Sequence, residues 1–329
     1  MNPTRTAILL AAVLACAACG SARQGGGPGT GAGTEDGRGD ELASLEGTIE
    51  IDGSSTVFPV TQLAAERFNQ LAPDVDIALG FAGTGGGFER FCNGETQIQD
   101  ASRPIEEDEQ QACADAGIEY VELLIGLDGI TNVVHPDNDW VTCLTLDQLK
   151  AVWDVDSKVD SWDDVDESFP DNPLGQQQLF GPGPDSGTYD FFLEEVVGDP
   201  DEGAAMRTQY QPSEDDNALV TGVAGEPNAL GYFGFAYYQE SADKLTALEI
   251  DGGDGCVAPG PTTIEDGSYV LSRPLFIYVD TAALVDEHVT EFVRYYLDEV
   301  EDLVEQTGYV PPSRATLADT RAAFEEAAA

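Results

Sequence analysis

The tetrapeptide Asp185-Ser186-Gly187-Thr188 can support two kinds of chemistry. One is the catalytic loop of an aspartic protease, which needs two carboxylates sharing a proton and therefore two Asp-Thr/Ser-Gly loops. This chain has one, and dimeric proteases that share the duty use a much smaller all-β chain. The residues that follow decide against it. Tyr189, Phe192, Leu193, Val196 and Val197 recur at helical spacing, and Gly198 is placed to stop the helix. Asp-Ser-Gly-Thr therefore opens a helix. Such an opening presents free backbone N–H groups and the positive end of the macrodipole, a setting for an anion. Gly187 lets a ligand approach the backbone, and Ser186 and Thr188 add hydroxyl donors. The plainer alternative is a self-capped helix, with Asp185 or Ser186 satisfying those N–H groups.

Three further turns carry the same chemistry: Ser54-Ser55-Thr56, Thr84-Gly85-Gly86-Gly87 and Ala101-Ser102-Arg103. The last brings a guanidinium able to grip an oxyanion with two hydrogen bonds. Together they suit a compact tetrahedral anion held without a metal or cofactor. "GTGGGF" places Phe88 where the dinucleotide fingerprint needs its last glycine, and there is no Walker sequence.

Each turn sits between a strand pattern and a helix pattern. "GTIEIDGSST" runs into "PVTQLAAERFNQLAP", "DVDIALGF" reaches "AGTGGG" before a helix expected from Phe88, and "TQIQDASRP" precedes "EEDEQQACADAG". Later, "GITNVVHP" and "PLFIYVD" read as strands, while "LTLDQLKAVW" is a helix with Thr145 and Gln148 at capping-box spacing. "ALGYFGFAYY" has no assignable period. His288 falls at helical spacing in a packing or surface role, and Trp140, Trp153 and Trp162 read as core or turn anchors. The alternation argues for an α/β fold.

The 329 residues allow two lobes, at roughly 150 residues per domain. The formal net charge of -48 comes from 62 acidic against 14 basic residues. Such a surface repels nucleic acid and anionic membranes, so nucleic acid is not expected as a partner. The acids are scattered without an EF-hand loop, and adaptation to salty surroundings accounts for them. At the N-terminus, Arg5 and the apolar run of residues 7–15 lead to Ala17-Ala18-Cys19-Gly20-Ser21, the layout of an export signal ending in a lipobox-like site. Cys19 is the expected lipidation site, Cys16 the weaker candidate, and a cleaved signal without lipid the alternative. A Gly-rich tether follows to about residue 45. Cys92, Cys113, Cys143 and Cys256 remain, suggesting two disulfides among three connectivities. With no Cys-x-x-Cys pair and only His135 and His288, a zinc site is not expected.

The segments "IDGSSTVFPVTQLAAERF", "GTGGGFERFCNGETQIQDASRPI", "FGPGPDSGTYDFF", "PSEDDNALVTGVAGEPNALGYFGFAYY" and "GYVPPS", in this order, resemble the PstS-like phosphate-binding proteins of bacterial ABC phosphate importers. The resemblance implies a type II-like periplasmic-binding-protein fold, two α/β lobes joined by a hinge with phosphate between them. It implies lobe 1 over residues 46–127, lobe 2 over 128–270 and a return to lobe 1 over 271–329, after a signal at 1–19 and a tether at 20–45. It also implies a lipid-anchored monomer on the outer face of the cytoplasmic membrane, delivering phosphate to a permease, and no enzymatic activity. Matched position by position, phosphate contacts fall on Ser55, Thr56 and the Val57 backbone, on Thr84 and Ser102, and on Ser186, Gly187 and Thr188. The chain departs from the family twice. Arg103 stands where many members have the Asp that accepts the phosphate proton, and Pro182 stands where many have an Arg. Arg103 is then expected to supply the cation and Asp185 the acceptor. With cysteines assigned to lobes, Cys92–Cys113 and Cys143–Cys256 are the expected disulfides. The same architecture tuned to sulfate, molybdate or tungstate is one alternative. An exported phosphatase-like protein is the other, though the sequence offers neither a nucleophile beside a base nor a metal cluster.

Overall fold

The computed structural model of the protein describes Gly39 and residues 41–329 apart from Asp185. The signal segment, Cys19 and nearly all of the tether lie outside the described residues. So does the expected proton acceptor, Asp185.

Three strand–turn–helix units come first: β1 (Glu46–Gly53) with α1 (Phe58–Leu71), β2 (Asp74–Leu79) with α2 (Thr84–Cys92), and β3 (Ile98–Ala101) with α3 (Glu107–Ala116). The long β4 (Tyr120–Val134) leads to β5 (Cys143–Thr145) and α4 (Leu146–Trp153). Then come β6 (Leu179–Gly181) with α5 (Gly187–Phe192), β7 (Gln211–Pro212) with α6 (Asp216–Gly225), and β8 (Leu230–Gly234) with α7 (Phe235–Glu240). After β9 (Thr246–Ala247), β10 (Glu249–Asp251), β11 (Cys256–Val257) and α8 (Pro261–Glu265), the chain continues into β12 (Ser272–Asp280), α9 (Glu287–Gln306) and α10 (Arg314–Ala327).

The main sheet runs β2-β1-β3-β12-β4-β8-β6-β7, with β9 also on β4. β1 is parallel to both β2 and β3, so the turns that follow these strands emerge at one edge. That is where open α/β sheets bind ligands. β6 is likewise parallel to β7 and β8. β4 pairs with β12 through Tyr120–Gly129 and with β8 through Ile130–Val134, so one strand serves both halves of the sheet.

Apolar burial divides the molecule. Leu42–Ile125 and Leu275–Phe324 supply two core clusters, in which α1 and α9 cover one face of the sheet and meet at Phe68 and Phe292, 5.4 Å apart. Leu127–Leu271 and Val310 supply the other two, where Trp153 stacks edge-on against Tyr232 and Phe192. The backbone crosses between the groups in β4 and again at the start of β12. Trp153 and Trp162 are fully buried, Trp140 is partly buried against the same cluster, and His288 packs over Gly47.

Local signals are realised as expected at several points. Thr145 and Gln148 exchange side-chain and backbone hydrogen bonds in a capping box. Both expected disulfides are formed, Cys92–Cys113 between α2 and α3 and Cys143–Cys256 between β5 and β11. The one group of candidate metal ligands found among the described residues, Cys143, Glu249 and Cys256, has its sulfurs in the second disulfide. "ALGYFGFAYY", unreadable by period, is a fully buried strand (β8) followed directly by the helix α7. The helix after Ser186 turns from α to a π-helical segment over Leu193–Val197 and stops at Gly198, with φ of 129°.

One expectation is corrected. α2 begins at Thr84, not at Phe88, so the glycines form its first turns. Tight packing makes this possible: a Cβ on Gly87 would lie 2.1 Å from Gln99 Oε1 and 2.5 Å from Gly53 Cα.

Candidate functional site

On the first wall of the cleft, three turns are tied to one another. After β1, Ser54 donates its N–H to the Asp100 carbonyl at 2.8 Å, and its hydroxyl accepts from Thr56 N at 3.2 Å. Buried Asp52 accepts from Gly53 N and Ala82 N, both at 2.8 Å, and pairs with Arg90, which joins the β1 and β2 turns. Thr84 and Ser102 share a hydroxyl–hydroxyl bond at 3.2 Å, while the Gln99 amide donates to the Thr84 and Asp100 carbonyls at 2.9 Å. With most local groups already paired, little ordering remains to be done when a ligand arrives.

Under this wall lies Asp100, 1% exposed, with neither carboxylate oxygen hydrogen-bonded among the described residues. Burial pushes its pKa up to about 8, the nearby Thr61 hydroxyl opposes the rise, and the Asp52 charge adds to it.

Arg103 faces the cleft from the β3 turn, but its guanidinium is spoken for. Glu109 on α3 takes Nη1 and Nη2 at 2.8 and 2.7 Å, and Glu106 lies 3.2 Å from Nε. This pairing raises the Arg103 pKa further. Glu109 also completes the α3 capping box with Glu106, so one carboxylate fixes both the helix start and the arginine.

The opposite wall is built differently. Ser186 caps α5 by accepting from Thr188 N at 3.2 Å, the self-capped arrangement. Gly187 touches the first wall: a Cβ there would lie 3.2 Å from Thr56 Oγ1. Behind the opening, Asp190, Glu194 and Glu195 line the cleft, each pushed up by burial and drawn partly back by Arg273.

That arginine escaped the sequence reading. Arg273, at the start of β12, donates from Nη2 to Thr56 Oγ1 at 2.7 Å and to the Gly187 carbonyl at 3.2 Å. Its Nε pairs with Asp128 at 3.1 Å, and its plane lies 4.0 Å over the Phe191 ring. Burial raises the Asp128 pKa, opposed by Arg273. The usable signal was composition: an arginine is rare in this acidic chain, and "SRPLFIYVD" places one directly before a strand.

A cleft of about 400 Å³ is bounded by Ser54, Ser55, Thr56, Thr84, Ser102, Arg103 and Arg273 on one side and by α5 with its π-helical continuation on the other. Ser186, Gly187 and Thr188 face an adjoining cleft of about 360 Å³ with Asp216, Tyr237 and Tyr309. Burial, with Asp215 and Glu214 close by, pushes the Asp216 pKa up to about 7.

Comparison with known proteins identifies the family. The profile of the PBP superfamily domain matches residues 30–300. The phosphate-binding protein PstS of Staphylococcus epidermidis is 38% identical over 286 residues, 86% of this chain and 85% of that protein. The chain belongs to the PstS family of the PBP superfamily. Protein SphX of Synechocystis is 44% identical over 268 residues, 80% of this chain and 78% of its own length. A crystal structure described as a possible phosphate binding protein from Planctomyces limnophilus superposes with a TM-score of 0.81 at 42% identity, covering 86% of this chain and 99% of that one. The fold is accordingly the two-lobed α/β fold of this family.

Within the PstS pattern, the structure brings Ser55, Thr56, Thr84, Ser102 and Arg103 onto one cleft. Ser186, Gly187 and Thr188 lie just beyond the Thr56–Gly187 contact. The Val57 side chain is fully buried, which leaves only its backbone for a ligand. Pro182 stands where many family members have an arginine on the Ser186 side, and here it is Arg273 that reaches the Gly187 carbonyl, from β12.

Proposed function

We propose that the protein captures inorganic phosphate outside the cytoplasm and delivers it to the permease of an ABC phosphate importer. One observation carries this reading: hydroxyl-bearing turns from three parallel strand ends converge on a cleft with Arg103 and Arg273, opposite a glycine-containing helix opening. The contact set is Ser55, Thr56, the Val57 backbone, Thr84, Ser102, Arg103, Ser186, Gly187 and Thr188, with Asp185 accepting the phosphate proton. Binding closes lobe 1, residues 46–127 and 271–329, onto lobe 2, residues 128–270. The division of the apolar clusters supports these boundaries, although Val310 packs with the second lobe and Leu42 already packs with the first. The protein acts as a monomer tethered through lipidated Cys19 and is not an enzyme.

Calorimetric titration of the purified protein with phosphate, sulfate and molybdate tests the proposal. One-to-one phosphate binding with weaker sulfate is expected, and Asp185→Asn should narrow that gap. No heat with phosphate overturns the reading. Turnover of a chromogenic phosphate ester would argue for the phosphatase-like alternative.

A further inference from the structure

We propose that Arg273 is both a phosphate-contacting guanidinium and the latch that holds the two lobes together. This rests on the phosphate reading above and adds a residue that the family pattern did not supply.

The placement is specific. Arg273 lies where β12 leaves one group of core clusters for the other, directly across from Asp128 in the β4 register. Its three nitrogens are used differently. Nε is anchored on Asp128, which is 1% exposed, so the guanidinium is held by a rigid strand instead of a loop. Nη2 donates to Thr56 on the first wall and to Gly187 on the second, so a single side chain is hydrogen-bonded to both. Nη1 makes no hydrogen bond among the described residues, while the group as a whole is only 13% exposed at the cleft. A desolvated, oriented cation with a spare donor binds an oxyanion strongly.

The bond to Thr56 sharpens this. Because Thr56 Oγ1 accepts from the guanidinium, its own hydroxyl proton is free to point at an anion. The two donors then polarise one another in a water-poor cleft. Arg103 offers no such arrangement: it is 34% exposed and its two terminal nitrogens already serve Glu109. Arg103 therefore makes the weaker contact and orients the Ser102 turn, and Arg273 carries the main compensating charge.

The test combines phosphate calorimetry with small-angle scattering on the full protein and on Arg273→Ala, Arg273→Lys and Arg103→Ala. Arg273→Ala should weaken phosphate about 10- to 150-fold, the loss expected for a charged hydrogen-bonded contact. It should also reduce the compaction seen at saturating phosphate. Arg273→Lys, which keeps a charge for Asp128 but not the fork, should fall between the two, so it decides the matter if the alanine variant does not fold. Millimolar guanidinium should partly restore phosphate binding to Arg273→Ala, which a purely structural role would not permit. Parent-like affinity and compaction in the lysine variant, or lost thermal stability with unchanged affinity in either variant, overturns the proposal. If the parent itself binds no phosphate, the functional reading has failed instead.

Discussion

The two walls of the cleft solve the same problem by different means. The first wall gathers three turns from adjacent parallel strands and cross-links them through Asp52, Gln99, Thr84 and Ser102. The second offers one self-capped helix opening with three carboxylates behind it. Donors fixed in advance cost little ordering when a ligand binds, whereas a single opening contributes only once it is brought close. The contrast teaches a difference in preparation: the first wall is cross-linked in advance, and the second presents a single helix opening. Arg273 belongs fully to neither, since its anchor Asp128 lies in the strand that serves both halves.

The largest effect is expected at that junction. Asp128→Ala leaves a nearly buried guanidinium without its partner, a change that costs about 3–5 kcal/mol. Chemical denaturation measures it, and a loss below about 1 kcal/mol would show that the junction does not need the pair.

Next comes the acid beneath the first wall. Asp100 has a folded pKa pushed up to about 8, well above the usual carboxylate range. The folded state thus holds a proton that the unfolded chain gives up. The associated stability is fully present below the ordinary carboxylate pKa and is lost as pH rises toward 8. Stability profiles of the parent and Asp100→Asn should converge at low pH and separate with rising pH, the variant being the more stable above neutrality. Parallel profiles would mean that Asp100 titrates normally.

Arg103→Ala compares the first wall with the latch. Its guanidinium is already engaged by Glu109, so calorimetry should show phosphate weakened by only about 1 kcal/mol, less than for Arg273→Ala. Equal losses for Arg103→Ala and Arg273→Ala would erase the distinction drawn between these residues.

Neutral hydroxyls should matter less. Thr84→Val and Ser186→Ala are each expected to weaken phosphate by about 0.5–1.5 kcal/mol, roughly 2- to 12-fold. Thr84 should be the more costly, because its loss also unpairs Ser102. A larger loss at Ser186 would invert the roles of the two walls.

The smallest effect on affinity belongs to the acidic flank. Replacing Asp190, Glu194 and Glu195 by their amides should speed phosphate association at low ionic strength, with the gain fading as salt screens the charges. Stopped-flow rates at two salt concentrations read this directly, and a salt-independent change would point to altered packing.

Much of this protein was legible residue by residue. The hydroxyl turns, the helix after Ser186, the capping box at Thr145 and the α/β alternation all rest on interactions within a few positions, where spacing alone sets geometry. The start of α2 was misread because its glycines look like a loop until Gln99 and Gly53 are seen packed against Gly87. Family resemblance added the contact positions and the disulfide pairs. Neither source could supply the partners of the arginines. Arg273 meets Asp128, Thr56 and Gly187 across sequence separations of 145, 217 and 86 residues, and these contacts exist only because β4 and β12 pair in one particular register. A shift of one residue would send every side chain of β12 to the other face. The sequence by itself thus determined which groups could hold an anion and, at Thr145 and Ser186, where a helix begins. Only the tertiary structure decided that Glu109 claims Arg103, that Asp100 is buried beneath the first wall, and that Arg273, anchored on Asp128, faces the cleft, because burial and charge pairing are properties of the packed sheet and not of any short stretch of chain.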